Sequence, residues 1–285
     1  LTPLDLTEAN DLLSTWLLSG EPFLAGRYGL TEASVCWWKG MRGKVLGKPI
    51  RSQLTWGVGV YPTTPAMIDE LISHQMWAAS HADGIVRWGS GKVHGEDLLL
   101  EHTTKDDVAF LPPEVNFAFL QLERPWTQHL AGKRVLVVHP FVTTIMEQYW
   151  EKREKLFDNP SILPELDNLT VMDGIQSIGG TGPHNNWVES LDIMSDAIRI
   201  LVRDDVFDVA LIACGGYGFP LAARCKLAGK PAIHLGGALQ LLFGIKGRRF
   251  DKNPVVTPFY NDHWVRPRES ERPKGWENVE NGCYW

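Results

Sequence analysis

Asp208-Val-Ala-Leu-Ile-Ala-Cys-Gly-Gly-Tyr-Gly-Phe-Pro-Leu-Ala222, followed shortly by Ala232-Ile-His-Leu235, decides the fold of this chain. A short apolar run ends in a glycine turn, opens directly into a helical stretch, and gives way to a second apolar run. The same unit recurs upstream. Arg134-Val-Leu-Val-Val138 precedes a helical stretch at 143–157, and Leu169-Thr-Val-Met172 precedes another at 186–202. With the strand at 208–213 and a helix at 220–228, short β-rich runs alternate with helices of roughly 9 to 17 residues, the signature of a parallel sheet with crossover helices. The class is α/β: a Rossmann-like, mostly parallel sheet flanked by helices, with residues 131–250 as the nucleotide-binding region. Ligands collect at the carboxyl ends of such strands, so the segments after each strand are where chemistry is expected.

Outward from that region the pattern loosens. Residues 1–130 read as an irregular N-terminal lobe, with helices at 5–18 and 65–80; Thr63 or Thr64 caps the second, and Pro65 suits a first turn. Between them Gly26-Arg-Tyr-Gly-Leu-Thr-Glu-Ala33 is a glycine-bounded turn running into an apolar helical stretch at 33–41. The last segment, 251–285, contains the polar, Pro-rich run Arg266-Pro-Arg-Glu-Ser-Glu-Arg-Pro-Lys274, which leads to Cys283-Tyr-Trp285, three residues able to pin it onto the body.

Composition narrows the classes. With 285 residues and 44% hydrophobic content, one large domain or two small ones can bury a core. The longest apolar runs, such as 206–214 interrupted by Asp208, fall far short of the roughly 20 residues a membrane helix needs. The start, Leu1-Thr-Pro-Leu-Asp5, shows neither a basic n-region nor a long apolar h-region, and the missing Met points to a trimmed beginning. Cys36, Cys214, Cys225 and Cys283 show no pair spacing, which argues against a zinc site or disulfide framework and for a reducing, cytoplasmic compartment. A net charge of −6 with dispersed basic residues argues against nucleic acid and for a small ligand. Twelve Trp are many; indoles stack on sugar rings, and they also fill cores.

Two loops are candidates to hold a phosphate. Gly174-Ile-Gln-Ser-Ile-Gly-Gly-Thr-Gly-Pro-His-Asn-Asn-Trp187 follows a strand and enters a helix, so Gly179, Gly180, Thr181 and His184 are candidate contacts, with Asn185 and Asn186 as alternative caps. Gly215, Gly216 and Tyr217 form the second. Gly216-x-Gly218 begins like the dinucleotide fingerprint, which motivates an NAD-type α/β oxidoreductase as a rival. Pro220, Leu221 and the ending His234-Leu-Gly-Gly237, where an acidic ribose ligand is wanted, weigh against it. Neither a P-loop nor a Gly-x-Ser-x-Gly elbow is present.

Val138-His-Pro-Phe141, Gln148-Tyr149, Arg153, the run 214–222, His234-Leu-Gly-Gly-Ala-Leu-Gln-Leu-Leu-Phe-Gly-Ile-Lys-Gly247 and the closing Glu280-Asn-Gly-Cys-Tyr-Trp285 resemble bacterial and viral proteins with a GT-D-like glycosyltransferase domain. The resemblance is strongest over 133–285. In that family an early Arg-Phe-Gly-Asp-Gly-Glu stretch supplies an Asp-x-Glu pair for a metal and the donor diphosphate; here the matching residues are Arg27-Tyr-Gly-Leu-Thr-Glu32. The resemblance implies transfer of a sugar from a nucleotide-sugar donor, UDP-linked in the first instance (UDP-xylose or a UDP-hexose), to a glycan or glycoprotein acceptor. Leu30 replaces the first acid, so a divalent ion, Mn²⁺ or Mg²⁺, would have only Glu32 as carboxylate. The lost acid also motivates a rival in another class, a non-catalytic sugar-nucleotide or glycan-binding module.

Positive charge for the diphosphate would then come from Arg27, Lys246, Arg248 or Arg249, with Gly29 shaping the turn. A base for the acceptor hydroxyl would be Glu32 or Asp173. Glu32 is also favoured at a helix start for purely structural reasons. His139, His184 and His234, at strand ends or in a glycine loop, are further candidates for ligand contact.

Overall fold

Seven stretches become strands in the computed structural model, which describes residues 1–89 and 91–285. They are β1 (Leu24–Gly26), β2 (Gly84–Val86), β3 (Ala109–Leu111), β4 (Arg134–His139), β5 (Asn168–Asp173), β6 (Val209–Ile212) and β7 (Ala232–His234). They form one sheet in the order β3-β2-β1-β7-β6-β4-β5, and every neighbouring pair is parallel. The alternation read from residue 134 onward is therefore the sheet's second half, with β4 paired to both β5 and β6.

The N-terminal part is less irregular than its sequence. It provides β1, β2 and β3, each of three residues, too short to show a periodicity, and β1 joins the two halves by pairing with both β2 and β7. Long-range polar bonds fix these strands where local pattern cannot: the Leu24 N–H donates to the Asp83 carboxylate at 2.8 Å, and Lys105 and Lys226 hold that carboxylate from both sides at 2.7 Å.

Two helix starts follow the caps read from sequence: Thr64 accepts from Met67 N at the start of Pro65–Ser80, and Asn186 accepts from Glu189 N at 2.9 Å on Trp187–Arg203. On Leu6–Ser19, Asp5 stands outside the helix as its cap and forms a capping box with Glu8. The helix expected at 143–157 spans Val142–Leu156, with a wider π-helical turn at Gln148–Lys152. Among the described residues no helix is long and apolar enough to cross a membrane.

Two apolar cores cover the two faces of the sheet. One joins Leu13, Ile145, Tyr149 and Leu241; the other joins Leu71, Leu191, Leu221 and Val35. The C-terminal segment belongs to the first core through Val256, Trp264, Val279, Cys283 and Trp285. In the second, Trp187 is fully buried and stacks on Tyr217, with centroids 4.9 Å apart and planes 10° from parallel. Trp187→Ala should cost about 3–5 kcal/mol of unfolding free energy, measured by urea denaturation. A loss below about 1 kcal/mol would contradict this packing.

Candidate functional site

The helices following β1, β5 and β6 lie on one face, whereas those following β4 and β7 lie on the other. Since β7 sits between β1 and β6, and β4 between β6 and β5, neighbouring loops part at the carboxyl edge. The opening is a cleft of about 640 Å³, where the switch-point rule for open parallel sheets places ligands.

Arg27, directly after β1, enters this cleft. Its guanidinium carbon stands 4.8 Å from the Trp88 ring centroid, and Nη2 makes one long contact, 3.5 Å, to the Leu235 carbonyl. Its Nε is buried and has no acceptor, and no carboxylate lies within salt-bridge distance among the described residues. Burial pulls its pKa below the ordinary arginine value, against the raising influence of Tyr284 and Glu32. Gly236 makes room for it: at φ +57°, a Cβ there would stand 2.3 Å from Nη2.

Glu32 is the third residue of the helix Leu30–Val35 and folds back over its own start. A Cβ on Gly29 would lie 2.1 Å from Glu32 Oε2, so Gly29 is what admits the carboxylate. Burial is the largest influence and raises its pKa; a backbone hydrogen bond and Arg27 oppose, and Glu280 adds to the rise. Across the cleft Arg249 pairs with Glu280, and its guanidinium lies 4.5 Å from the Tyr284 ring centroid.

Two buried histidines complete the floor. His139 Nδ1 accepts the Phe141 N–H at 3.0 Å, which leaves the proton on Nε2, and burial depresses its pKa to about 3. His234 stacks on Phe219 with its Nδ1 buried and unpartnered; burial and then Arg27 hold its pKa at about 3. Gly218 is required beneath it, because a Cβ there would come within 2.5 Å of Nε2.

The cleft thus brings together Arg27, Gly29, Glu32, His139, Gly215, Tyr217, His234 and Arg249 among the candidates. Others lie outside its lining. Gly179 and Gly180 turn tightly within the Ile178–Thr181 bridge and pack on Trp56 and Thr55, Thr181 is exposed, and His184 Nδ1 bonds Ser190 Oγ at 2.8 Å. Only the earlier part of that loop, Ile175 to Ile178, reaches the cleft. Gly216 packs on Val58 with its carbonyl accepting from Gln75 at 2.7 Å, and Lys246 lies 5.1 Å from the Tyr260 ring centroid. Asp173 is exposed at the end of β5, its pKa raised by partial burial and by Glu271.

The site candidates did not include the wall built by the C-terminal segment, chiefly Glu280, Tyr284 and Trp285, nor Trp56 and Trp88. The visible signal was the aromatic ending after a polar run. As for a metal, among the described residues no three His, Cys, Asp or Glu side chains converge on one point. With Glu32 folded onto its helix start and Glu280 paired to Arg249, the residues do not fit an ion held by protein side chains alone.

No protein-family model matches the chain, and no curated protein does. Among solved structures it is similar, over 94% of its length and 95% of the other's, to a new glycosyltransferase (domain of unknown function 1792) from Streptococcus sanguinis, with a TM-score of 0.50 and 11% identity. It is also similar to a selenomethionine-substituted structure of domain of unknown function 1792, covering 82% of this chain and 83% of that one, with a TM-score of 0.45 and 10% identity. The first likeness shows the fold: the chain has the GT-D-like arrangement.

Burial of the histidines sets a pH dependence. A histidine whose folded pKa lies near 3 adds stability that is full above its ordinary value of 6.5 and is lost as pH falls, because only the unfolded chain takes up the proton. His234→Gln should flatten the dependence of unfolding free energy on pH between about 4 and about 6 by about 1.4 kcal/mol per pH unit relative to the unsubstituted protein. Urea unfolding at each pH measures this, and an unchanged slope would contradict a neutral, buried His234.

Proposed function

We propose that the chain is a glycosyltransferase that takes a sugar from a nucleotide-sugar donor, UDP-linked in the first instance (UDP-xylose or a UDP-hexose), and passes it to a glycan or glycoprotein acceptor. The observation that carries this reading is Arg27, a guanidinium in the cleft with a buried Nε and no counter-ion. Arg27 is half-buried, with its Nε shielded and no carboxylate within ion-pair distance among the described residues, so a donor diphosphate would supply the charge-assisted hydrogen bonds that the protein leaves unmade. The GT-D-like fold, and the naming of the Streptococcus sanguinis protein as a glycosyltransferase, support the choice of chemistry.

In this reading residues 131–250 hold the nucleotide at the carboxyl edge of the sheet, and the loop carrying Arg27 and Glu32 covers the diphosphate and sugar. Trp56, Trp88, Tyr284 and Trp285 line the same cleft; Trp88 and Tyr284 carry Arg27 and Arg249 on their rings and Trp285 is buried, which leaves Trp56 as the indole to stack on the base or the sugar. The acceptor oxygen attacks the anomeric carbon and the carbon–oxygen bond to the β-phosphate breaks. The hydroxyl proton passes to Glu32, whose desolvated carboxylate is a stronger base than one in water. Charge developing on the departing diphosphate falls to Arg27 and Arg249 and to N–H groups opening the turns at Gly215 and Gly236. Asp173, at the end of β5, is the second candidate base. Four buried, unpaired thiols suit a reducing, cytoplasmic setting.

UDP or GDP at about one hundred times its dissociation constant should stabilise the protein by about 2.7 kcal/mol, seen as a rise in melting temperature. Arg27→Gln should abolish the rise while leaving the fold intact by circular dichroism. If neither nucleotide binds by calorimetry and NAD binds instead, the oxidoreductase reading replaces this one. If a nucleotide sugar binds and no donor is ever consumed, the chain is the non-catalytic binding module.

A further inference from the structure

Between Glu32 and Asp69 the chain carries Lys39, Arg42, Lys44, Lys48 and Arg51 and not one carboxylate, in a protein whose net charge is −6. Lys39 pairs with Asp69. The other four have no carboxylate within salt-bridge distance among the described residues. Two of them are held by indoles instead: Arg42 lies 4.6 Å from the Trp37 ring centroid and Lys44 lies 4.3 Å from that of Trp38. Such a cation keeps its charge while its side chain is ordered.

Several acids on neighbouring elements are already engaged, although Glu70 and Glu101 have no partner among the described residues. Asp97 binds Arg87 at 2.7 Å, Glu96 accepts the N–H groups of Trp88 and Gly89 at 2.7 and 3.0 Å, and Glu280 pairs with Arg249. The segment also has an address. The helix Lys48–Gln53 brings Ser52 and Gln53 to the lip of the cleft, where Thr31 Oγ1 meets Gln53 Oε1 at 3.5 Å, beside Glu32.

We propose that residues 39–51 form the acceptor-binding rim of the cleft and that the acceptor is an anionic glycan, bearing carboxylate, sulfate or phosphate groups. The proposal rests on the glycosyltransferase reading and deepens it. A chain of negative charges lying on this rim leads directly to Glu32 and the cleft, whereas the nucleotide's own charge is met deeper, at Arg27. A membrane surface is less well matched: Val45, 89% exposed, is the one large aliphatic side chain standing fully clear of the segment. Nucleic acid is less well matched too, since Trp37 is buried and Trp38 carries Lys44 and the stacked His94.

The test uses the full chain, a fluorescent heparin-derived octasaccharide as anionic probe, a neutral dextran octasaccharide and phosphatidylglycerol vesicles. The variant is Arg42→Gln, Lys44→Gln, Lys48→Gln and Arg51→Gln combined. The sulfated probe should bind, should weaken at least about tenfold when salt rises from about 50 to about 300 mM, and should weaken at least about tenfold in the variant, with the neutral probe not binding. Equal binding of the neutral probe, undiminished binding by the variant, or binding of vesicles without the sulfated probe would each overturn the proposal. UDP stabilisation is measured in parallel. If the variant keeps it, the rim alone has been altered; if the unsubstituted protein lacks it, the nucleotide reading fails by itself and the rim is judged on its own arms.

Discussion

The structure around the cleft turns on one guanidinium that lies against protein without a carboxylate. Arg27 leaves β1 at the centre of the sheet, rests over Trp88 and reaches only the Leu235 carbonyl, at 3.5 Å. Shielding part of a cation from water is unfavourable unless something answers its charge, and here the half-buried guanidinium keeps a buried Nε without an acceptor. Several neighbours make sense only in relation to it. Gly236 lacks a side chain where Arg27 passes, and His234 is kept neutral by burial beside it.

The sheet order supplies the space. Had the connections after β6, β7 and β1 all turned to one face, their loops would have packed together at the carboxyl edge. Because β7 turns the other way, Gly215 and Gly236 begin helical turns on opposite sides of the opening, both with positive φ. The C-terminal segment then closes one wall. Glu271 accepts the N–H groups of Thr143 and Thr144 at 2.8 and 3.1 Å, anchoring the strap to the helix that follows β4, while Trp285 meets Phe141 edge-on.

How much of this was legible in the sequence follows from range. β4 to β7 were readable because each is a short, mostly apolar run that leads into a helical stretch, with a glycine turn after β5, β6 and β7, and caps such as Asn186 act within four residues. β1 to β3 were not, since three residues carry no period and their positions depend on partners such as Asp83 and Ala232. Of the candidate site residues, Arg27, Glu32, Gly215 and His234 line the cleft because they stand at or just beyond strand ends. Gly179 and Gly180 lie outside the lining because a glycine pair signals a turn without saying what it faces, and here Gly179 faces Trp56. Tyr284 and Glu280 reach the cleft from the far end of the chain, a juxtaposition no local pattern encodes.

Consumption of a sugar nucleotide in the cleft, with Glu32 as base, is the proposal most open to direct measurement. The direct measurement is release of nucleoside diphosphate from a panel of sugar nucleotides, UDP-linked ones first, by the unsubstituted protein and by Glu32→Gln, with and without EDTA. Turnover of at least one donor is expected, persisting at least in part under chelation, with a fall of about 10² or more in Glu32→Gln and UDP binding retained. Turnover by Glu32→Gln within a few-fold of the unsubstituted protein would contradict the role of Glu32, and no turnover of any donor would contradict the reaction itself.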